Sequence, residues 1–126
     1  MQIILDTNAL VYAARNKLDL VQSLKDKFGL LAIYIPNLVI EELKILANSA
    51  DKQADRDAAS LALKIIKQKN LIEIQLSGET DQAIANYAIK HKSGVLTNDL
   101  KLKYLLRSGG VKVYMMRQGS HVEEWS

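Results

Sequence analysis

The chain of 126 residues contains no cysteine, one proline, one phenylalanine and one tryptophan. Without cysteine it can form neither a disulfide framework nor a thiolate metal site. No apolar run approaches the roughly 18 residues that a membrane-spanning helix needs. The apolar N-terminal residues meet an acid at Asp6 and carry no basic leader, so they do not resemble a signal peptide. These absences favour a small globular protein of the cytoplasm.

The composition is that of an ordinary globular domain, with 48% apolar and 25% charged residues. The length predicts one domain with a single hydrophobic core. The net charge of +3, from 17 basic and 14 acidic residues, is too small to establish nucleic-acid binding. If four of the acids held a metal, the remaining 10 would face 17 bases, and such a surface would suit a polyanion. A slight basic excess can equally serve solubility alone.

Short apolar runs alternate with amphipathic stretches along the whole chain. The predicted strands are residues 2–5, 31–35, 71–76, 94–96 and 111–115, and the predicted helices are 9–14, 18–28, 38–50, 53–69, 81–91 and 98–107. Asn37 and Thr80 are predicted to cap the helices that follow them. Repeated strand–helix–strand alternation predicts a parallel sheet covered by helices. The domain is expected to span residues 1–117, followed by a polar tail, 118–126, that docks through Trp125.

An acid follows each of the first four predicted strands. Asp6 and Asp99 come just after strands one and four, Glu42 lies in the first turns of the helix after strand two, and Asp81 opens the helix after strand three. In parallel sheets polar chemistry gathers at the carboxyl ends of strands, beside the switch in strand order. Mg²⁺ and Mn²⁺ prefer several carboxylate oxygens and can activate water against a phosphodiester. The pattern therefore predicts a carboxylate-held metal site.

Each acid also has a purely structural explanation. Asp81 and Asp99 lie in first helical turns, where the helix dipole favours acids. Asp6 can cap its own loop, although an acid directly after an apolar strand is costly to half-bury without a partner. Glu41 and Glu42 compete for one role, and helical spacing places Glu42 beside the buried face and Glu41 in solvent. Four independent caps would not be expected to align on one edge, so the shared site is favoured.

Five stretches, in their order and spacing, resemble PIN domains over nearly the whole chain. They are residues 4–10 (ILDTNAL), 35–43 (IPNLVIEEL), 80–84 (TDQAI), 95–99 (VLTND) and 110–114 (GVKVY). The amino-acid sequences of these stretches are most similar to the archaeal-type branch of the family. That branch includes proteins resembling ribosomal-RNA processing nucleases and the toxin halves of toxin–antitoxin pairs.

The resemblance implies a three-layer α/β/α fold with a five-stranded parallel sheet in the order 3-2-1-4-5. It implies that four acids bind Mg²⁺ or Mn²⁺ and serve RNA hydrolysis, namely Asp6, Glu42, Asp81 and Asp99. It also implies supporting hydrogen bonds from Thr97 and Asn8, a homodimer, and an antitoxin or ribosome-assembly partner. Many relatives carry a further acid a few residues after the last one, where this chain has residues 100–103 (LKLK). A second metal position is therefore expected to be weak or to fill only with RNA.

Three cations follow Asp99 on one predicted helix and are candidates for RNA phosphate contacts, although a solvated face explains them equally well: Lys101, Lys103 and Arg107. The five tyrosines are scattered and are expected mostly in the core or in interfaces. His91 lies at a helix end and His121 in the tail, and neither is expected to be a metal ligand.

Three functions compete for this sequence. The favoured one is a metal-dependent endoribonuclease in which water attacks phosphorus, because no Ser–His or Cys–His nucleophile system is visible. The alternative is a catalytically idle PIN domain that serves as an RNA-binding or assembly module. A phosphotransfer protein is disfavoured: Asn8 stands where a haloacid-dehalogenase-like phosphatase needs a second acid, and the acid pair of a receiver domain is missing.

Overall fold

The computed structural model describes residues 1–117 and 121–126. Over these residues the chain forms six strands and six helices. The strands are β1 Gln2–Leu5, β2 Ala32–Pro36, β3 Ile72–Ile74, β4 Gly94–Leu96, β5 Val113–Arg117 and β6 His121–Glu124. The helices are α1 Thr7–Arg15, α2 Leu20–Phe28, α3 Asn37–Ser49, α4 Gln53–Gln68, α5 Thr80–His91 and α6 Leu100–Ser108. No helix in the described part of the chain is long and apolar enough to cross a membrane.

The strands form one sheet in the order β3-β2-β1-β4-β5-β6. β1 to β5 are parallel, and β6 pairs with β5 in the antiparallel direction. The crossovers move one way before β3 and the other way after it. Right-handed connections therefore place α1 to α4 on one face and α5 and α6 on the other. The predicted three-layer class and the order 3-2-1-4-5 are confirmed, whereas the predicted count of five strands is one too few.

The centre of the sheet is the pair formed by β1 and β4. Ile3, Ile4 and Leu5 are fully buried, as expected for a central parallel strand that is covered on both faces. Gly94 lies beside Ile3 in the sheet register, and a Cβ there would lie 2.9 Å from Ile3 Cδ1 and 3.0 Å from Tyr114 Cε2. Only glycine leaves room for these side chains. The strand order reverses at this pair, because β1 has β2 on one side and β4 on the other.

Both predicted N-caps are wrong, and each side chain makes a longer-range bond instead. The N-cap of α3 is Pro36, and the Oδ1 of Asn37 accepts a 2.6 Å hydrogen bond from the Leu76 backbone N–H. This bond ties the start of α3 to the segment after β3. The N-cap of α5 is Glu79, whose carboxylate accepts a backbone N–H of the first turn. Thr80 is thereby free to bond elsewhere.

The segment after residue 120 belongs to the sheet, as β6. The backbone N–H of Trp125 donates to the Val113 carbonyl at 2.8 Å. Lys103 Nζ lies 4.2 Å from the centroid of a Trp125 ring and donates to the Ser126 carbonyl at 3.2 Å. These contacts fasten the last residues to β5 and α6. The expected domain boundary after residue 117 stays a prediction, because residues 118–120 lie outside the described residues.

Candidate active site

A cleft of about 460 Å³ opens at the carboxyl edge of the sheet, beside the switch in strand order. Four carboxylates, from Asp6, Glu42, Asp81 and Asp99, contribute to its lining. The other lining residues are Thr7, Asn8, Val11, Tyr12, Arg15, Leu46, Thr80 and Asn98. Among the described residues Arg15 is the only basic side chain of this lining. The structure thus brings together the four acids that the sequence nominated and adds a threonine pair, an aromatic ring and a guanidinium.

Asp6 is the most buried of the four acids, with 5% of its surface exposed. It follows β1 directly and forms the N-cap of α1, where its Oδ1 accepts the Ala9 N–H at 2.8 Å. Its Oδ2 accepts the Thr97 hydroxyl at 2.5 Å. This second bond follows from the sheet register, because Leu5 pairs with Leu96 and the next residues of both strands are therefore neighbours.

Burial raises the pKa of Asp6 from its ordinary value of 3.8 to about 7. The loss of hydration is the largest cause, and the hydrogen bonds from Thr97 and Ala9 oppose it. The negative charges of Asp99 and Asp81 raise the pKa further. The Asp6 carboxyl is therefore near its titration midpoint at neutral pH unless a positive charge joins it.

Glu42 is held by two threonine hydroxyls. Thr7 Oγ1 donates to its Oε1 at 2.5 Å, and Thr80 Oγ1 donates to its Oε2 at 2.8 Å. Thr7 begins α1 and Thr80 begins α5, while Glu42 lies in the second turn of α3. Three helices therefore meet at one carboxylate, and both of its oxygens are fixed. The neighbouring Glu41 is exposed, as helical spacing predicts.

Asp99 and Asp81 lie at the starts of two helices that line the cleft. Asp99 is the N-cap of α6 and accepts the Lys101 N–H at 2.9 Å. Asp81 lies in the first turn of α5. Burial is the main cause that raises the pKa of Asp81, followed by the charges of Glu79, Asp99 and Glu42. The acids thus cap or begin helices and also lie close enough to repel one another.

The two asparagines of the site have different roles. Asn8 is exposed at the rim of the cleft, one helical turn before Tyr12. Asn98 is bonded to β5, because its amide donates to the Met116 carbonyl at 3.1 Å and its Oδ1 accepts the Met116 N–H at 3.0 Å. Asn98 therefore fixes the loop between Thr97 and Asp99 against the neighbouring strand.

The three cations of α6 do not line the cleft. Lys101 is exposed near it, and its charge partly opposes the rise in the pKa of Asp81. Lys103 is only 6% exposed and lies against Trp125, so desolvation, followed by the charge of Arg107, lowers the pKa of its ammonium. Arg107 is exposed in the last turn of α6, away from the helix start that carries Asp99. The three cations therefore do not form one row beside the cleft, because Lys103 contacts Trp125 and Ser126, and their phosphate contacts stay a prediction.

The donor set fits a hard divalent cation. Within residues 1–117 and 121–126, no three acidic or histidine side chains are already arranged to hold one ion. Both oxygens of Asp6 and both of Glu42 accept hydrogen bonds, but a carboxylate oxygen has about two lone pairs, so each retains a position for a cation. An oxygen-only set of mutually repelling carboxylates is what Mg²⁺ and Mn²⁺ prefer.

A sequence model of the PIN like domain family matches residues 3–119. The chain belongs to this family. The PIN domain is also 30% identical over 119 residues to Ribonuclease VapC9 of Archaeoglobus fulgidus, and the match covers 94% of this chain and 85% of the relative. The family assignment agrees with the strand order and with the position of the cleft.

Two solved structures show the same fold as this PIN domain. The PIN domain endonuclease Utp24 superposes with a TM-score of 0.80 and 22% identity, over 98% of this chain and 90% of that one. VapBC2 from Rickettsia felis, bound to a DNA fragment from its promoter, has a TM-score of 0.57 and 22% identity, over 91% and 98% of the two chains. At these identities the likeness concerns the fold alone.

Four residues of the PIN-domain cleft were not predicted from the sequence, namely Thr7, Thr80, Tyr12 and Arg15. The threonines adjoin two nominated acids, Asp6 and Asp81, and that adjacency was the available signal. Tyr12 and Arg15 follow Asn8 at helical spacing, so they share its face of α1. Tyr12 was expected in the core or in an interface, and it is half-buried at the cleft wall.

Replacement of Thr80 tests the hydrogen bond that its hydroxyl donates to Glu42. Thr80→Val keeps the shape of the side chain but removes the donor to a partly buried carboxylate, so we expect the free energy of unfolding to fall by about 1–2 kcal/mol. Urea denaturation measures this change. Thr80→Ser retains the hydroxyl and should restore most of the loss. Equal stability of the valine variant and the wild type would show that the bond contributes nothing.

Proposed function

We propose that this PIN domain is a metal-dependent endoribonuclease that hydrolyses RNA phosphodiester bonds. The observation that carries the proposal is the cleft at the carboxyl edge of the sheet, which all four of Asp6, Glu42, Asp81 and Asp99 line. The relative named a ribonuclease, at 30% identity over most of both chains, supports RNA as the substrate class. The fold shared with a PIN domain endonuclease is consistent with this activity.

The four carboxylates are the groups that would hold Mg²⁺ or Mn²⁺. Such an ion would supply the positive charge that activates water and stabilises the phosphate oxygens. The chain itself provides fixed positions: Thr97 and Ala9 hold the two oxygens of Asp6, and two threonines hold those of Glu42. Prepositioned groups need little reorganisation when charge develops, which is the main source of electrostatic catalysis.

Attack by water, without a covalent intermediate on the protein, agrees with the lining of the cleft. Among the described residues the lining contains no histidine, cysteine or serine. The hydroxyls of Thr7 and Thr80 both donate to Glu42, and the proposal engages this carboxylate with the metal ion, so neither hydroxyl has a base free to take its proton. A nucleophilic side chain requires an adjacent base or a lowered pKa. Hydrolysis in a single displacement is therefore the proposed mechanism.

A catalytically idle PIN domain that binds RNA or a protein assembly is the second candidate. It is favoured by two observations. No three acids of the described residues are already arranged around one ion, and no further acid follows Asp99 within residues 100–103. An idle domain has no need of a divalent cation. Metal binding therefore distinguishes the two candidates.

The direct test is cleavage of a set of labelled single-stranded and structured RNAs in Mn²⁺, Mg²⁺ or EDTA, together with calorimetric titration of Mn²⁺. We expect internal cuts in at least one metal, none in EDTA, and saturable Mn²⁺ binding. A protein that cuts no RNA and binds no Mn²⁺ would contradict the nuclease and support the idle module.

The partners follow from the role in the cell. A toxin-type role, as the name of the VapC relative suggests, would pair the chain with a small antitoxin protein. An RNA-processing role would pair it with ribosome-assembly proteins. A homodimer is proposed for either role. A light-scattering mass equal to one chain at micromolar concentration would contradict the dimer.

A further inference from the structure

One wall of the cleft is a single face of α1. Asn8, Tyr12 and Arg15 follow one another at intervals of four and three residues, so their side chains share that face. Val11 and Leu46 add apolar surface beside them. The four carboxylates gather near the start of α1, whereas Arg15 is its last residue. The cleft therefore has an acidic end and an aromatic, cationic end.

The acidic end alone would repel a polyanion. Arg15 is the only basic group in the cleft lining within the described residues, and it forms an ion pair with Asp55 of α4. The side chains of this pair are 50% and 32% exposed, and such pairs contribute little to stability. A guanidinium has five N–H donors and matches the geometry of a phosphate, so Arg15 can exchange Asp55 for a phosphate at small cost.

Tyr12 offers a stacking surface next to this cation. It is half-buried, packs against the core and also lines the cleft. Within residues 1–117 and 121–126, its hydroxyl makes no hydrogen bond that would explain its position. A tyrosine already held by its neighbours loses little freedom when a base stacks on it, and every base has a face that can stack.

We infer that Tyr12 and Arg15 form a nucleotide subsite for single-stranded RNA, in which Tyr12 stacks on an unpaired base and Arg15 binds a phosphate. The inference rests on the proposed function, because the carboxylate end then receives the bond that is cut. Asp6 and Arg15 are nine residues apart, or roughly 13 Å along the helix axis. Successive phosphates of a strand with stacked bases are about 3.4 Å apart along the axis of the nucleic acid. The subsite therefore lies at most about four nucleotides from the cut.

The base contact is tested by the anisotropy of a fluorescein-labelled 12-nucleotide oligoadenylate in EDTA, where cleavage is not involved. Tyr12→Leu should weaken binding by about 5- to 100-fold. It should change the binding of an abasic strand of equal length by less than about twofold. Tyr12→Phe keeps the ring and should bind like the wild type. Tyr104→Leu removes an exposed tyrosine of α6, outside the cleft, and should have no effect.

The phosphate contact is tested by the salt dependence of the same binding. Arg15→Gln should weaken the binding of both strands and reduce the slope of log Kd against log salt by about 0.7, the value for one phosphate on a single strand. Lys25→Gln makes the same change of charge on the exposed face of α2 and should leave the slope unchanged.

Release of Arg15 from its partner should have the opposite effect. Asp55→Asn is expected to tighten binding several-fold, and Asp57→Asn, an equal charge change on an exposed position of α4, is expected to do less. The gain from Asp55→Asn should disappear in the Arg15→Gln background. A general charge effect would survive in that background and would count against the exchange of partners.

The inference is overturned if the Tyr12→Leu and Arg15→Gln variants, folded by circular dichroism, bind both strands as the wild type does. It is also overturned if the wild type binds neither strand. Because these measurements need no metal, a protein that binds through the subsite but cuts nothing would retain the subsite and reject the nuclease. If the protein cuts RNA but both variants bind RNA as the wild type does, the nuclease would be retained and the subsite rejected.

Discussion

Glu42→Gln is expected to lower the rate of metal-dependent RNA cleavage by about 100-fold or more, while Glu41→Gln leaves it within about twofold. Each substitution removes one negative charge from adjacent positions of α3. Only Glu42 lines the cleft, where Thr7 and Thr80 hold it, whereas Glu41 is exposed. Loss of one preorganised electrostatic group typically costs about 10²- to 10³-fold in rate. Initial rates at saturating Mn²⁺, beside Mn²⁺ titrations of both variants, measure the effect.

The pair of variants controls for the fold as well as for charge. The amide introduced by Glu42→Gln keeps an acceptor oxygen for one threonine, so thermal unfolding of this variant should remain cooperative. Equal losses of rate in the two variants would show that general charge, rather than the position of Glu42, governs the activity. Unchanged cleavage by Glu42→Gln would remove this residue from the proposed metal site.

The stability of the protein in EDTA is expected to fall as the pH rises from about 5 to 8. The pKa of Asp6 is raised by burial to about 7 in the folded state, against 3.8 ordinarily, so the folded protein holds a proton that the unfolded chain has lost. The stabilisation is fully present below the unfolded pKa and is lost as the pH passes through the folded pKa. The difference corresponds to at most roughly 4 kcal/mol.

Asp6→Asn isolates this contribution, because the amide does not titrate and still offers an acceptor oxygen to the Ala9 N–H. Urea denaturation of both proteins at pH 5 and 8 should show the wild type losing stability relative to the variant. Saturating Mn²⁺ at pH 8 should restore the wild type and not the variant, since an ion that binds only the folded state stabilises it. A constant difference between the proteins at both pH values would show that Asp6 does not titrate in this range.

The placement of the acids was accessible from the sequence because it depends on local periodicity. Asp6 follows a run of three buried residues, and Glu42 lies on a helix whose apolar spacing separates it from Glu41. The strand order then followed from the family resemblance. The positions of the acids depend on neighbours within one or two turns of the same element, and a pattern of apolar residues records such neighbours.

The hydrogen bonds from the two threonines to Glu42 could not be predicted from the sequence in this way. Thr7 and Thr80 meet Glu42 across 35 and 38 residues, so the contact depends on how three helices pack. The sequence assigned Thr80 to a local cap, and Glu79 took that position instead. Threonine is a preferred N-cap residue and glutamate is not, so the hydrogen bond of Thr80 to the distant Glu42 carboxylate overrode the local preference.

The sixth strand was missed for a related reason. His121–Glu124 is short and mostly polar, with one buried residue, Val122, so it lacks the apolar run that marked the other strands. Its docking also hides Lys103, whose place beneath Trp125 depends on residues far along the chain from α6. Of the three cations that the sequence placed on α6, Lys103 is therefore buried, whereas Lys101 and Arg107 stay exposed.

Asp6 and Asp99 each begin a helix and line the cleft, and the two duties draw on different properties of one side chain. The helix start needs only an acceptor oxygen, whereas the proposed metal site needs the negative charge. One nucleotide change converts an aspartate codon into an asparagine codon, which keeps the oxygen and removes the charge. Selection for a folded protein would not eliminate such descendants. A gene of this kind can therefore lose its chemistry in one step and persist as a stable scaffold available for another role.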